Sequence, residues 1–376
     1  MKIILFKKLL LDYLSFFFIA LLASSIIIWV FQAVNFLDIM IEDGRNYFVY
    51  VNYTLLNFPK IFSKLFPFVL FFSLFYVTTR YEFDNELIIL WNYGVNKIQI
   101  INFILLISFF LMLIQIVLTS IIVPGSQDKA RSFLRTSKVN FFENFIKPQR
   151  FNDTITNVTI FSERKDAEGN LYNLYIKKEI DKNNLQITYA KKGIFKETKN
   201  SPVLVLFEGE TITQKNNKFT NLRFSKSDFS LQNMASNTTI ITKTQEISTL
   251  DLLICINFLY DLKFTDKEKN IVNCDDSNIK NILKEFYKRL VVPLYIPTLT
   301  LISFLLIIKS KENIDFFKIR IMTFMIGLSF IIFSETTIRL ISEKLSENII
   351  IASIPFLSFI IFYFLFLYKF TLNIKK

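Results

Sequence analysis

Six long apolar runs constrain the fold of this chain more than any other feature of its sequence. A helix needs about 20 mostly apolar residues to cross the hydrocarbon core of a bilayer. Six runs reach or approach that length, at 14–34, 61–79, 101–123, 290–308, 321–338 and 349–368. The sequence therefore predicts a membrane α-helical protein, with three spans on each side of one large insert.

The composition argues against an enzyme. Of the 376 residues, 52% are hydrophobic and none is His, so the commonest general base and metal ligand is missing. The sequence has neither the phosphate-binding pattern GxxxxGK[ST] nor the nucleophile pattern GxSxG. We therefore expect no catalytic residue, no metal site, no cofactor and no nucleic-acid partner. In a membrane protein, the meaning of the net charge of +12 depends on where the charged residues lie relative to the membrane.

Basic residues in the short loops predict that orientation, because cytoplasmic loops are enriched in Lys and Arg. One side carries twelve of them: Lys2, Lys7, Lys8, Arg80, Lys97, Lys309, Lys311, Lys318, Arg320, Lys369, Lys375 and Lys376. The other side carries four: Arg45, Lys60, Arg339 and Lys344. We therefore expect both termini in the cytoplasm and the insert, residues 124–289, outside it. The first run is too long for a cleavable signal peptide and is expected to remain as an anchor.

The insert has the pattern of short β-strands. Runs at 159–163 and 171–177 are separated by residues 166–170, Asp-Ala-Glu-Gly-Asn, which are typical of a hairpin turn. Further β-prone runs follow at 187–189, 203–207, 211–213 and 219–224. Short strands between turns predict a sandwich or jelly roll. The expected domains are a first transmembrane half (1–123), an all-β jelly-roll-like domain (124–277) and a second transmembrane half (278–376). Whether Cys255 and Cys274 form a disulfide stays open.

The loop between the second and third spans, residues 82–94, combines acidic and apolar residues. Glu82, Asp84 and Glu86 precede two turns of apolar sequence, and Gly94 follows as a helix-ending residue. One interpretation is a helix that lies on the lipid headgroups. The other is a docking element for a soluble protein, because acidic residues are unfavourable beside the negatively charged inner leaflet.

This loop and its flanks resemble the LptF/LptG family of lipopolysaccharide export permeases. Glu86 lies eight residues before Gly94, as the glutamate of the family's coupling segment does. Further similar segments are Phe58-Pro59, Leu65-Phe66-Pro67, Pro124, Gln127 through Arg135, Ile160-Phe161 through Ile176, Ile187 to Gly193, Glu285 through Arg289, and Pro293-Leu294. The resemblance extends over nearly the whole chain, in the family's order of three spans, jelly roll and three spans.

The resemblance implies a non-catalytic permease subunit of an ABC exporter in the inner membrane of a Gram-negative bacterium. Such a subunit pairs with a paralogous permease, and a cytoplasmic ATPase dimer, which alone uses ATP, docks on the coupling segments. The segment here looks more like the F-type than the G-type. Lipopolysaccharide would leave the membrane through the jelly roll towards periplasmic bridge proteins. The residues implied in coupling to the ATPase are Glu82, Asp84, Glu86 and Gly94.

Phosphates on lipopolysaccharide suit basic side chains at the periplasmic ends of the spans. The candidates are Lys60, Lys64, Lys129, Arg131, Arg135, Lys288 and Arg289. Apart from Lys64, each of them has the alternative of an ordinary interfacial residue, whose charged end snorkels to water. Glu335 and Arg339, four residues apart in the fifth span, are expected to pair with each other rather than with a ligand.

Two other functions remain open. A membrane-anchored sensor or scaffold with a periplasmic β-domain is expected to carry a cytoplasmic output module, and only eight residues follow residue 368. A permease of another ABC-type lipid or lipoprotein exporter is expected to carry its large domain after the first span, whereas here the insert follows the third.

Overall fold

The structure, a computed structural model, describes most of the chain. The described residues are 2–37, 47–136, 146–155, 158–166, 169–181, 184–198, 201–215, 218–230, 243–260 and 273–372. Their contacts form two compact units. The first unit comprises Met1–Phe31, Leu56–Asp128 and Thr242–Lys376, and the second comprises Gln32–Leu55 and Lys129–Ile241.

Six helices are long and apolar enough to cross a membrane, and each contains one of the six predicted runs, which confirms the predicted spans. They are Ile3–Asn35, Tyr47–Phe83, Lys97–Leu134, Asp276–Ile308, Phe316–Leu340 and Leu345–Phe370. The α-helices are α1 (Lys2–Asn35), α2 (Tyr47–Phe83), α3 (Glu86–Asn92), α4 (Lys97–Val117), α5 (Val123–Thr136), α6 (Thr249–Leu259), α7 (Ile279–Leu290), α8 (Ile296–Ser303), α9 (Phe316–Leu340) and α10 (Leu345–Leu367). A π-helical turn, Leu118–Ile122, joins α4 to α5.

Helix α1 contributes one of its faces to the core of the helical unit. On α1, Leu9, Tyr13 and Phe17 are spaced by four residues and are at most 4% exposed. On another face of the same helix, Ile19 and Ile27 are 68% and 57% exposed. Both faces are apolar, as expected for a helix with protein on one side and lipid on the other.

The insert forms one six-stranded antiparallel sheet in the described residues, so the predicted all-β domain between the third and fourth spans is confirmed. The strands pair in sequence order, β1-β2-β3-β4-β5-β6, as an up-and-down meander. They are β1 (Phe151–Ile155), β2 (Val158–Lys165), β3 (Leu171–Asp181), β4 (Asn184–Thr198), β5 (Ser201–Lys215) and β6 (Lys218–Ser230). One face is buried around Ile160, Leu174, Ile176, Leu204 and Leu206.

On strand β3, the alternation of buried and exposed side chains shifts by one residue at Asn173. On β3, Leu174 and Ile176 point to the buried face, and so does Leu171, three residues before Leu174. Between them, Asn173 has a left-handed φ of 51°, and Glu208 on β5 has a φ of 47°. A shift of one residue moves every following side chain to the opposite face, so the conformation of Asn173 keeps Leu171 and Leu174 on the same face of the sheet.

Strand β5 joins two of the predicted short runs through Glu208 and Gly209. Lys191 donates a hydrogen bond of 2.8 Å to Glu208 Oε2, and this bond lowers the pKa of the Glu208 carboxyl. At Gly209 the neighbouring strand is so close that a Cβ atom would lie 2.1 Å from the carbonyl oxygen of Tyr189. Only glycine fits there without separating the strands.

Helix α6 belongs to the helical unit, and a disulfide bond joins it to the segment just before α7. Cys255 on α6 bonds to Cys274, with their Cα atoms 5.9 Å apart. Leu252 and Cys255 are buried against Ile282 and Leu283 of α7. The described residues 243–260 and those from 273 onwards therefore belong to the helical unit, whereas the sequence-based domain boundary placed residues up to 277 with the β-domain.

Candidate functional site: the α2–α3 linker and a basic cluster

Helix α3 is amphipathic and ends as its sequence predicts. Gly94 has a φ of +70°, a conformation that favours glycine. Its N–H bonds to the Trp91 carbonyl at 2.9 Å, and the Val95 N–H bonds to the Leu90 carbonyl at 3.2 Å. These two bonds form a Schellman motif, and Leu90 and Val95, the residues that usually touch in it, are both buried. Gly94 is therefore a helix-ending residue.

One face of α3 anchors it to the bundle and the other is exposed. Leu87 and Leu90 are 2% and 6% exposed, within the core of the helical unit. Ile89 and Tyr93 are 48% and 49% exposed. A short helix fixed by two leucines, with two large apolar side chains facing outwards, is typical of a docking element.

The three predicted acidic residues have three different environments. Asp84 is exposed, and its Oδ2 lies 3.7 Å from Arg80 Nε. The Glu86 side chain is 27% exposed, and its Oε2 accepts a hydrogen bond of 3.2 Å from Lys8 on α1. Glu82 is 6% exposed and points inwards, where its Oε1 accepts the backbone N–H of Lys311 at 2.7 Å. Asp84 and Glu86 are therefore at the surface, and Glu82 is not.

A basic cluster lies on the other side of the predicted membrane, around Lys60 of α2. Lys60 Nζ donates to Gln245 Oε1 at 3.3 Å. Three more lysines, Lys64, Lys243 and Lys288, and the carboxylate of Glu285 act electrostatically on Lys60. The four lysines outnumber this carboxylate, so their mutual repulsion favours an anionic ligand among them.

Arg289 does not belong to the exposed part of this cluster. Its side chain is 2% exposed, and its Nε bonds to Glu285 Oε1 at 3.2 Å. Its Nη atoms donate to three acceptors: Ile247 O at 2.9 Å, Thr249 Oγ1 at 3.0 Å and Gln245 O at 3.0 Å. The expectation that Arg289 meets a phosphate needs correction, because four of its five N–H groups are used inside the protein.

The backbone carbonyl of Arg289 also accepts a hydrogen bond from the third span. Thr119, in the π-helical turn, donates to the Arg289 carbonyl at 2.7 Å, and Thr249 donates to the carbonyl of Ser120. The arginine therefore connects the segment from Gln245 to Thr249 with the third and fourth spans.

The remaining candidates have simpler placements. Lys129 is exposed and Arg131 half-buried on α5, in the second unit, and the Arg135 side chain lies outside the described part of the chain. Lys288 is 46% exposed, with Nζ 3.5 Å from Glu285 Oε2. Glu335 and Arg339 do not form the expected pair: both described side chains are exposed, and no ion pair joins them.

Comparison with known proteins decides the family. Residues 8–369 match the family described as "Lipopolysaccharide export system permease LptF/LptG". This chain belongs to that family. A relative from Rickettsia prowazekii (strain Madrid E), "Uncharacterized protein RP871", is 26% identical over 293 residues, which cover 76% of this chain and 78% of that protein.

Membership of the LptF/LptG family confirms the resemblance seen in the sequence. The chain is a multi-pass membrane protein of a family of non-catalytic transport permeases. In the residues that the structure describes, no three His, Cys, Asp or Glu side chains form a group that could hold a metal ion.

Sequence reasoning missed Lys243 and the role of Gln245. Both lie just before α6, more than 180 residues after Lys60, in a stretch without a motif. The only available signal was general, namely that a basic residue close to the start of an apolar helix lies near a membrane interface.

Proposed function

We propose that this protein is the transmembrane permease subunit of an ABC exporter that extracts lipopolysaccharide from the inner membrane. It would pass the lipid through the β-domain towards a periplasmic bridge, pair with a paralogous permease, and use ATP only through a partner ATPase dimer. We assign it to the F-type on the look of its coupling segment. Family membership and the six spans support this proposal.

The exposed face of α3 is the observation that carries the proposal. The helix is anchored through Leu87 and Leu90, so force applied to Ile89 or Tyr93 reaches the packed core directly. A helix lying on lipid headgroups would turn its apolar face to the acyl chains and its charges to water. Here the buried apolar side chains face protein instead, and two large apolar side chains, Ile89 and Tyr93, remain exposed for a protein partner.

The disulfide supports the proposed orientation. Disulfides persist in oxidising compartments such as the periplasm. Cys255 and Cys274 lie on the insert side of the fourth span, which the charge bias of the short loops also assigns to the periplasm. With the insert outside, α3 and both termini lie in the cytoplasm, where an ATPase subunit is available.

Glu86→Arg is expected to abolish co-purification of the ATPase subunit in detergent. The substitution places a like charge opposite Lys8, so the internal pair must be tested separately. Lys8→Glu alone breaks the same pair, and the double variant Lys8→Glu/Glu86→Arg restores it with reversed charges. If Glu86 contacts the partner, the ATPase subunit still co-purifies with the Lys8→Glu variant but not with the double variant. Recovery of the complex in the double variant would instead make Glu86 an internal residue.

The basic cluster is proposed to bind the phosphates of lipopolysaccharide. A hydrogen bond to a charged group contributes about 1.5–3 kcal/mol, so Lys60→Gln or Lys243→Gln is expected to weaken binding roughly tenfold. The measurement is photo-crosslinking of lipopolysaccharide to a probe beside Lys64 in membranes. Lys344→Gln, in another short outer loop, is the matched control. Equal crosslinking in all variants would make these lysines ordinary interfacial residues.

A further inference from the structure

The loop between the fourth and fifth spans, residues 309–315, is held in one conformation by its own hydrogen bonds. Lys309 Nζ bonds to Asp315 Oδ2 at 2.6 Å and closes the loop at its base. The Asn313 N–H bonds to the Ser310 carbonyl at 3.0 Å, and Asn313 Oδ1 accepts the Asp315 N–H at 3.0 Å. The loop therefore presents a defined surface.

Two reciprocal hydrogen bonds attach this loop to the end of α2, three residues before α3 begins. Glu82 Oε1 accepts the backbone N–H of Lys311 at 2.7 Å, and Lys311 Nζ donates to the carbonyl of Phe83 at 2.8 Å. Because the carboxylate of Glu82 is buried, this charge-assisted bond is shielded from water. We call these two bonds the Glu82–Lys311 clamp.

Aromatic contacts extend the attachment to the start of α9. The ring of Phe83 lies 6.0 Å from that of Phe316, edge to face. The Arg320 guanidinium lies 5.5 Å from the Phe83 ring and 5.3 Å from the Phe317 ring. Phe83 and Phe317 are 49% and 59% exposed, so an apolar surface continues from the end of α2 onto α9.

Ile314, at the tip of the loop, is 96% exposed. Its neighbours are Lys311, Glu312, Asn313 and Asp315, so this part of the chain lies in water and not in the hydrocarbon layer. An aliphatic side chain held in water by an ordered loop costs free energy that a partner can recover by covering it. Phe83 and Phe317, in the two helices that this loop contacts or leads into, are also exposed.

We propose that loop 309–315 is a second docking element for the cytoplasmic ATPase subunit, with Ile314 as its contact residue and Glu82 as the residue that positions it. The occupant is the protein that docks on α3, because the clamp fixes the loop to the last two residues of α2, three residues before α3 begins. The inference rests on the proposed function. With this second docking element, one partner would contact the first three spans through α3 and the last three spans through loop 309–315.

Site-specific photo-crosslinking in the complex tests the docking surface. A photoreactive phenylalanine analogue is introduced at Ile89, at Ile314 or at Leu340, which is exposed at the opposite end of α9. We expect positions 89 and 314 to crosslink to the ATPase subunit and position 340 to give at least tenfold less product. Crosslinking at 89 without 314 would overturn the second docking element and leave the proposed function intact. Loss at both positions would contradict the proposed function itself, and equal product at 340 would show unspecific reaction and overturn the inference.

Substitutions at Glu82 test the positioning role. Glu82→Gln keeps an oxygen that can accept the Lys311 N–H, whereas Glu82→Leu removes it. We expect Glu82→Leu to lower the crosslink at 314 at least fivefold and to leave the crosslink at 89 unchanged, with Glu82→Gln close to the parent at both positions. Lys311→Met, which removes only the bond to Phe83, serves as a second variant if Glu82→Leu does not fold. Unchanged crosslinking at 314 in the variants that fold would overturn the role of the clamp.

Discussion

Arg289→Leu is expected to destabilise the helical unit by about 3–5 kcal/mol, the usual cost of removing one partner of a buried ion pair. The substitution leaves the carboxylate of Glu285 without its closest cation and leaves the carbonyls of Gln245 and Ile247 without a donor. Each unsatisfied buried acceptor adds to the cost. The segment before α6 should then detach from α7.

Thermal unfolding of the purified protein in detergent measures this effect. Lys288→Leu is the matched control, because Lys288 pairs with the same Glu285 but is 46% exposed. Surface ion pairs contribute about 0–1 kcal/mol, so this control should lower the Tm by only a few degrees at most. Arg289→Lys should fall between the two, because a lysine keeps the charge without the planar array of donors. Equal Tm values for Arg289→Leu and Lys288→Leu would show that the buried network contributes nothing.

Gly209→Ala is expected to disrupt the pairing of β5 with β4. The added Cβ atom would lie 2.1 Å from the Tyr189 carbonyl oxygen and 2.6 Å from the Phe224 ring. The ring can move, but the carbonyl belongs to the backbone of the neighbouring strand β4, so the two strands must separate. Forced overpacking costs about 1–3 kcal/mol and occasionally more, and a backbone clash lies at the upper end of that range.

Hydrogen exchange in β4 and β5 measures this disruption. Gly125→Ala in α5 is the control, since a Cβ atom at Gly125 meets no other atom within 4 Å. An alanine in a helix also gains about 1 kcal/mol of helix propensity over glycine. We expect faster exchange in β4 and β5 for Gly209→Ala and no loss of protection for Gly125→Ala. Parent-like protection in both variants would mean that the strands tolerate the side chain.

The sequence predicted the transmembrane elements and the insert well because both signals are local. Each apolar run is about long enough to cross the hydrocarbon core as a helix, and each lies within one observed spanning helix. The hairpin between β2 and β3 follows from the turn residues 166–170, and the Asp166–Asn170 turn forms there. The end of α3 at Gly94 follows from its conformational freedom.

The sequence could not assign roles within groups of like residues. Glu82, Asp84 and Glu86 look equivalent along the chain, yet the structure buries the first and exposes the second. Lys288 and Arg289 are neighbours, yet one is half exposed and the other is enclosed. Neighbouring residues on a helix differ by about 100° in direction, and the position of the packed surface decides which one is buried.

The sequence by itself determined six spans, an inserted β-domain and a short helix ending at Gly94, because apolar length, β-propensity and glycine conformation act over a few residues. Only the tertiary structure decided that Glu82 holds Lys311 and that Arg289 holds residues 245–249. Those contacts join residues 229 and about 40 positions apart, and no local pattern encodes which distant backbone groups will lie within hydrogen-bond distance.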